Sequence, residues 1–423
     1  MKNELIEKAK LLYSYAYPIV WTNLMLSAPK EAFLHTTHIR ELAKADGKSY
    51  KPNNDTLYSS ISLQLKNSPY VLEIPKIDDR YLLVDILNLK TEVFFATGSK
   101  HENNGAGKYI LLYRNQPVPE GYENYTVVRS DDNKNILLIR TETFHEADYA
   151  KANQIQDQFV IKPVYPENIK DTGTPINVPY VTYLENLSVK DFIKNFISTL
   201  EDTKIDEEII TILKDFGIDS EHFDYETLED EKKTALENGF KEAYEDIKGY
   251  NGPEGYTSNG WTTYVKDVGS FGKKYLFRAF VSWFAWAANL PEDSIYPVAY
   301  TDTAGERLKS NNDYIIHFEK DNLPNAKHFW SVTVYGEPSG TLVANEYDKY
   351  VINSHGLDHL HFNKDGSLDI LLSRTKPAKE EDFNNWLPLP EKEDAFSLLM
   401  RIYGADKETL EGRWQFPTIQ QLS

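Results

Sequence analysis

The stretch KPNNDTLYSS, residues 51–60, places Asn53, Asn54, Asp55 and Thr56 side by side between a proline and an apolar run. A carboxylate in such company can act as a general base or hold a divalent cation such as Mg2+, while amide and hydroxyl neighbours orient a substrate oxygen. Asp55 takes the first role and Asn54 and Thr56 the second. The same residues also make an ordinary polar turn, because Asn and Asp side chains bond to backbone two residues on. A second group is FWSVTVYG, residues 329–336. As a strand it divides Trp330, Val332 and Val334 from Ser331, Thr333 and Tyr335, three hydroxyls that can line a polar cavity. Arg278 stands inside the apolar run LFRAFVSWF, where a guanidinium needs a carboxylate, a carbonyl cage or an anionic ligand. SHGLDHLHF carries His355, His359 and His361. On a strand the last two would share a face, a geometry open to a metal but without a third ligand at fixed spacing. The expected site has Asp55, Asn54 and Thr56 at its centre, Tyr58, Trp330 and Tyr335 as walls and Arg278 as the anion-binding group. It requires Asp55, Arg278 and Tyr335 to line one cavity.

The elements that must position these residues are mostly strands. TLYSSISLQL alternates apolar and polar side chains, as a strand with one buried face does. YVLEIP, RYLLVDIL, TEVFFATG, KYILLYR, YTVVRS and NILLIRT follow at short spacing, separated by turn clusters. Several short strands so arranged indicate an antiparallel sandwich or barrel. Helical spacing covers residues 4–28, with Pro18 expected to interrupt or kink the run. Residues 188–250 read as three acidic helices with Glu and Lys on a solvated face. After the Gly/Pro/Asn loop at 251–260 and one apolar helix, LFRAFVSWFAWAAN, the strand pattern returns. The expected division is 1–187, an N-terminal helix plus a β-domain; 188–250, a helical connection; and 251–423, a second β-domain. The two β-halves are long enough to share an architecture, although no short-period repeat is visible.

Composition narrows the chemistry. With no cysteine, disulfides, thiolate metal sites and cysteine nucleophiles are excluded. The chain carries 46 basic and 65 acidic residues, a formal net charge of −19. That field repels phosphate backbones and anionic membranes, so neither nucleic acid nor a membrane is an expected partner. No stretch has the roughly 18–20 uncharged apolar residues that span a bilayer, and no signal peptide precedes the first helix, so a cytoplasmic protein is expected, or a virion component if the source is viral. GxSxG, HExxH, kinase and Walker motifs are absent, which argues against the familiar hydrolase and phosphotransfer classes.

YP at 17–18, PNNDTLYS, RYLLVDILNLKTEVF and LIRTETF together resemble the family known as DUF1254. RAFVSW, ANLPEDSIY, TDTAGERL, FWSVTVY, NKDGSLDILL, NNWLPLP, MRIYG and GRWQFP similarly resemble DUF1214. The resemblance implies a mainly β protein with helical insertions, a tandem (double) jelly-roll β-sandwich, and it implies no reaction. From the residues, the expected function is that of a hydrolase-like enzyme for a small amphipathic anionic ester such as an alkyl sulfate, assisted by Mg2+ if a cation is used. The alternatives are a non-catalytic, capsid-like structural protein that forms a homo-oligomer, and a carbohydrate- or lipid-binding module.

Overall fold

The computed structural model describes residues 2–47, 49–173, 182–219 and 223–422. The expected strands form where the alternation placed them. Thr56–Gln64, for example, buries every second side chain along most of its length, which is what a pleated strand with one core face requires. Two β-units result, each of two sheets packed face to face.

In the first unit, eight strands succeed one another: Thr56–Gln64, Tyr70–Ile74, Leu82–Asn88, Val93–Gly98, Gly107–Tyr113, Thr126–Ser130, Lys134–Glu142 and Val160–Pro163. Counted in chain order, their spatial order is 1-7-3-4 in the larger sheet, which Thr37–His38 extends at one edge, and 6-5-2-8 in the smaller. In the second unit the strands are Val298–Ala299, Tyr314–Phe318, Ala326–Glu337, Val351–Asn353, Leu368–Ser373, Trp386–Pro388, Ala395–Ala405 and Thr418–Gln421. Their orders are again 1-7-3-4 and 6-5-2-8, with Gly255–Ser258, Trp261–Tyr264 and Ser294–Ile295 added to the larger sheet. In both units strands 5 and 6 pair in parallel, and the other pairings are antiparallel. One topology is used twice.

Each sandwich has its own core. Ile61, Leu63, Leu72, Val84, Ile86, Leu137 and Ile139 fill the first. Trp330, Val332, Val334, Ile370, Leu372, Leu398, Met400 and Ile402 fill the second. Fully burying such side chains stabilises by roughly 1.5–3 kcal/mol each.

The fold is mainly β, with strands at 28% and helices at 27%, and the helices gather on the first unit. Lys2–Met25, Val189–Ile197, Glu207–Phe216, Asp230–Lys248 and Tyr275–Phe284 share one core with Leu87, Ile136 and Leu138 from the outer face of the first unit's larger sheet. The N-terminal helix belongs to this layer, packed mainly on Asp230–Lys248 and Tyr275–Phe284. Gly239 marks the tightest approach: a Cβ there would lie 2.5 Å from the Ala9 Cβ. Pro18 does not break Lys2–Met25, which runs through it. No described helix is long and apolar enough to cross a membrane.

Candidate functional site

The outer face of the first unit's larger sheet is covered at one end by helices and at the other by the larger sheet of the second unit. Two-residue periodicity sends Leu83, Asp85, Arg140 and Glu142 toward this junction while Val84, Ile86 and Ile139 point into the sandwich. From the other side come Phe329, Ser331, Thr333, Tyr335, Arg401 and Tyr403, with Trp330, Val332 and Met400 turned inward. Tyr81, Leu83, Phe329 and Tyr403 form a small apolar cluster across the seam, in which Phe329 and Tyr403 stack at 4.1 Å.

The loop 51–55 is pinned between the units. The Lys51 N–H donates to Gly340 O at 2.6 Å, and its ammonium pairs with Glu337 at 2.9 Å, both side chains 9% exposed. The Pro52 carbonyl accepts from the Tyr335 hydroxyl (2.5 Å) and from Arg401 Nη2 (3.2 Å). Asn53 Oδ1 accepts from the N–H groups of Asp55 and Thr56 at 2.7 and 3.2 Å, an Asx turn. The Asn54 amide donates to Ala43 O at 2.6 Å.

Asp55 ends the loop with 3% of its surface exposed. Its Oδ2 accepts from Ser331 Oγ at 2.7 Å and from the Tyr403 hydroxyl at 3.0 Å. Its Oδ1 and the Thr56 hydroxyl are buried and, among the described residues, have no partner. A buried polar atom in that state calls for an explanation. Burial pushes the Asp55 carboxyl upward, against the Arg401 charge and the two hydroxyl bonds, which pull it down. Arg401 itself bonds Tyr335 Oη (2.8 Å), Thr333 Oγ1 (3.3 Å) and Pro52 O. Nearby, Arg140 pairs with Asp85, reaches Ala287 O at 3.1 Å and lies over the Tyr58 ring. Asp85 is pushed up to about 6 by burial, with Arg140 opposing. Tyr58 and Tyr296 are half-buried, and burial raises the Tyr296 hydroxyl to about 12. A buried carboxyl with hydroxyls on it and guanidinium charge beside it has the groups that general acid–base chemistry uses.

The structure thus brings Asp55, Thr56, Tyr58 and Tyr335 to one junction and sends two expected members elsewhere. Trp330 faces the sandwich core on the far side of its strand, as strand parity demands. Arg278 lies in the helical layer, 3.5 Å from Glu92 and between the rings of Tyr15 and Tyr275. Asp55, Arg278 and Tyr335 therefore do not share a cavity. Asn54 is held to the backbone through its amide nitrogen. His359 and His361 do not share a strand: Ser354–His359 is a 3-10 helix and His361 follows it outside any strand, while the His355 ring meets the buried carboxylate of Glu142 and packs on Phe329. Among the described residues no three His, Asp or Glu side chains gather to hold a metal.

Sequence reasoning missed Arg140, Arg401, Asp85 and Tyr403. The signal was present, since LLIRT and LLMRIYG put an arginine in an apolar strand, the same anomaly that singled out Arg278.

Two family models match the chain. Residues 33–163 match DUF1254, a protein of unknown function, and residues 293–407 match DUF1214, likewise a protein of unknown function. The first match spans the first β-unit, and the second covers the second unit from Ser294–Ile295 to Ala395–Ala405, ending before Thr418–Gln421. No curated protein matches the chain in sequence. Among solved structures, the VPA0106 protein from Vibrio parahaemolyticus is similar over 99% of this chain and 100% of that one, with a TM-score of 0.72 at 21% identity. That likeness shows a shared fold along the whole length. An uncharacterized protein from Burkholderia cenocepacia aligns over 100% of this chain and 94% of that one, but its TM-score of 0.42 at 11% identity carries no argument.

Proposed function

We propose that this protein of the DUF1254 and DUF1214 families is a hydrolase-like enzyme for a small, partly apolar anionic ester such as an alkyl sulfate, with the inter-unit junction as its active centre. One observation carries this reading: Asp55 is a buried acid of raised pKa with Oδ1 unpartnered, beside the unpartnered hydroxyl of Thr56. Asp55 acts as the base that takes a proton from water, Tyr403 and Ser331 hold the carboxyl in place, and the half-buried rings of Tyr58 and Tyr296 accept the apolar part of the ester. The counter-charge for the anion comes from the junction and not from Arg278, which is committed to the helical layer.

A second reading has its own support. Lys51 and Pro52 tie the loop to the second unit through side chain and carbonyl, so the signature could be a latch in a non-catalytic structural protein. For the tandem jelly roll, eight strands in two sheets per unit speak in favour, and the parallel pair in each speaks against the all-antiparallel form. A panel of sulfate, phosphate and carboxylate esters, with and without Mg2+, separates enzyme from latch. Turnover of at least one ester class is expected, and no turnover of any would leave the latch.

A further inference from the structure

The duplication extends from strand order to the residues of the junction. In the first unit Thr56 lies opposite Glu142 and Tyr58 opposite Arg140. In the second, Ser294 lies opposite Tyr403 and Ile295 opposite Ile402, while Val298 lies opposite Leu399, a register that sets Tyr296 against Arg401. DTLY at 55–58 and DSIY at 293–296 therefore occupy equivalent places, as do LLIR at 137–140 and LLMR at 398–401. Backbone bonding agrees. The Asp55 carbonyl accepts from the Thr143 N–H at 3.3 Å and the Asp293 carbonyl from the Gly404 N–H at 2.9 Å, and Thr143 and Gly404 are equivalent in the same register.

The junction thus contains one Asp–Tyr–Arg set twice, and the sets are crossed. Both aspartates are buried and raised. The cation acting on Asp55 is Arg401 of the opposite unit, while Glu142 of its own unit acts against it, and Arg140 of the first unit is among the charges acting on Asp293. Equivalent Tyr81 and Phe329 meet each other at 6.0 Å, as matched positions do across a two-fold.

The two copies differ in how their charges are spent. Asp293 is paired with Lys100 at 3.0 Å, and Arg140 with Asp85. That half is internally neutralised. Among the described residues, Asp55 and Arg401 make no ion pair. Asp55 is met by two hydroxyls and Arg401 by a carbonyl and two hydroxyl oxygens, which satisfy hydrogen bonds without cancelling charge. Asp55 Oδ1 is left without a partner.

We propose that only the half built on Asp55, Tyr403 and Arg401 takes a ligand, an oxyanion that docks on Arg401, and that the half built on Asp293 and Arg140 is its self-neutralised structural twin. This rests on the junction being the active centre and names its anion-binding group. Sulfate or phosphate on Arg401 would stand close to Asp55, so ionised Asp55 opposes it and a neutral side chain there favours it.

The test is titration of inorganic sulfate and phosphate into the full chain, followed by calorimetry and by the shift in thermal midpoint. Saturable binding is expected. Arg401→Lys should weaken it about tenfold or more, since a bidentate guanidinium contact is lost, whereas Arg140→Lys should leave it within about twofold. Asp55→Asn, nearly isosteric, should tighten it several-fold, and Asp293→Asn should not. The aspartate pair decides the matter if Arg401→Lys fails to fold. Equal effects in the two halves, or no saturable binding of either anion, would overturn the proposal. Asp55-dependent ester turnover without anion binding would sink this inference and spare the enzyme reading, and anion binding lost with Arg401→Lys without any turnover would do the reverse.

Discussion

Asp85 is buried against Arg140, and its protonation should leave a mark on stability. Its carboxyl is pushed up to about 6 from an ordinary value of 3.8. Between those values the folded chain keeps a proton that the unfolded chain has lost, so this group's contribution declines as pH rises from about 4 to about 6. Burial shifts Asp55 and Asp293 in the same direction. Asp79 works oppositely: Arg80 and Lys151 hold it down near about 2, so its stabilisation is complete above the ordinary value and lost in acid below it. The thermal midpoint should therefore fall modestly across pH 4–6, and Asp85→Asn should flatten that slope. An unchanged slope in the variant would show that Asp85 is not the titrating group. Asp55 was legible because it stood in a cluster of polar side chains. Arg140 and Arg401 were legible in principle, each an arginine in a buried strand, but the same logic was spent on Arg278, whose partner Glu92 is 186 positions away in sequence.

The loop and strands around Asp55 are held together by a few buried polar contacts. Lys51 and Glu337 form one, both nearly excluded from solvent, with Ser397 Oγ donating to Glu337 at 2.7 Å and Tyr300 lying under the ammonium. Removing one partner strands the other charge, so Lys51→Met should cost about 3 kcal/mol in a denaturant titration. A loss near zero would mean that the loop is not pinned by this pair. Most strands and the acidic helices were readable, because their period is written in side chains a few residues apart. Val189–Ile197 and Glu207–Phe216 bury the apolar face that their spacing marks. The turn Ser354–His359 was not readable as such, since a short polar run suits a strand or a 3-10 turn equally. Parity on Ala326–Glu337 was readable, and it already separated Trp330 from Tyr335.

At the scale of the molecule, two β-units of one topology meet across a polar seam, flanked by a helical layer that packs on the first and reaches Tyr264 of the second. Two β-halves were visible in the sequence; their common strand order was not, because pairing between distant strands leaves no local period. The repeat survives in only a few letters, DTLY and DSIY or LLIR and LLMR, and becomes meaningful once register places them opposite one another. Duplication followed by unequal neutralisation explains why a symmetric framework holds an asymmetric site. The most direct measurement is turnover of an alkyl sulfate by the wild-type chain and by Asp55→Asn, with the thermal midpoint recorded on the same samples. Loss of a general base predicts a fall in kcat/KM of about 100-fold or more with the midpoint within a few degrees of wild type. Undiminished turnover by Asp55→Asn would contradict the assignment of Asp55, and with it the junction as an active centre.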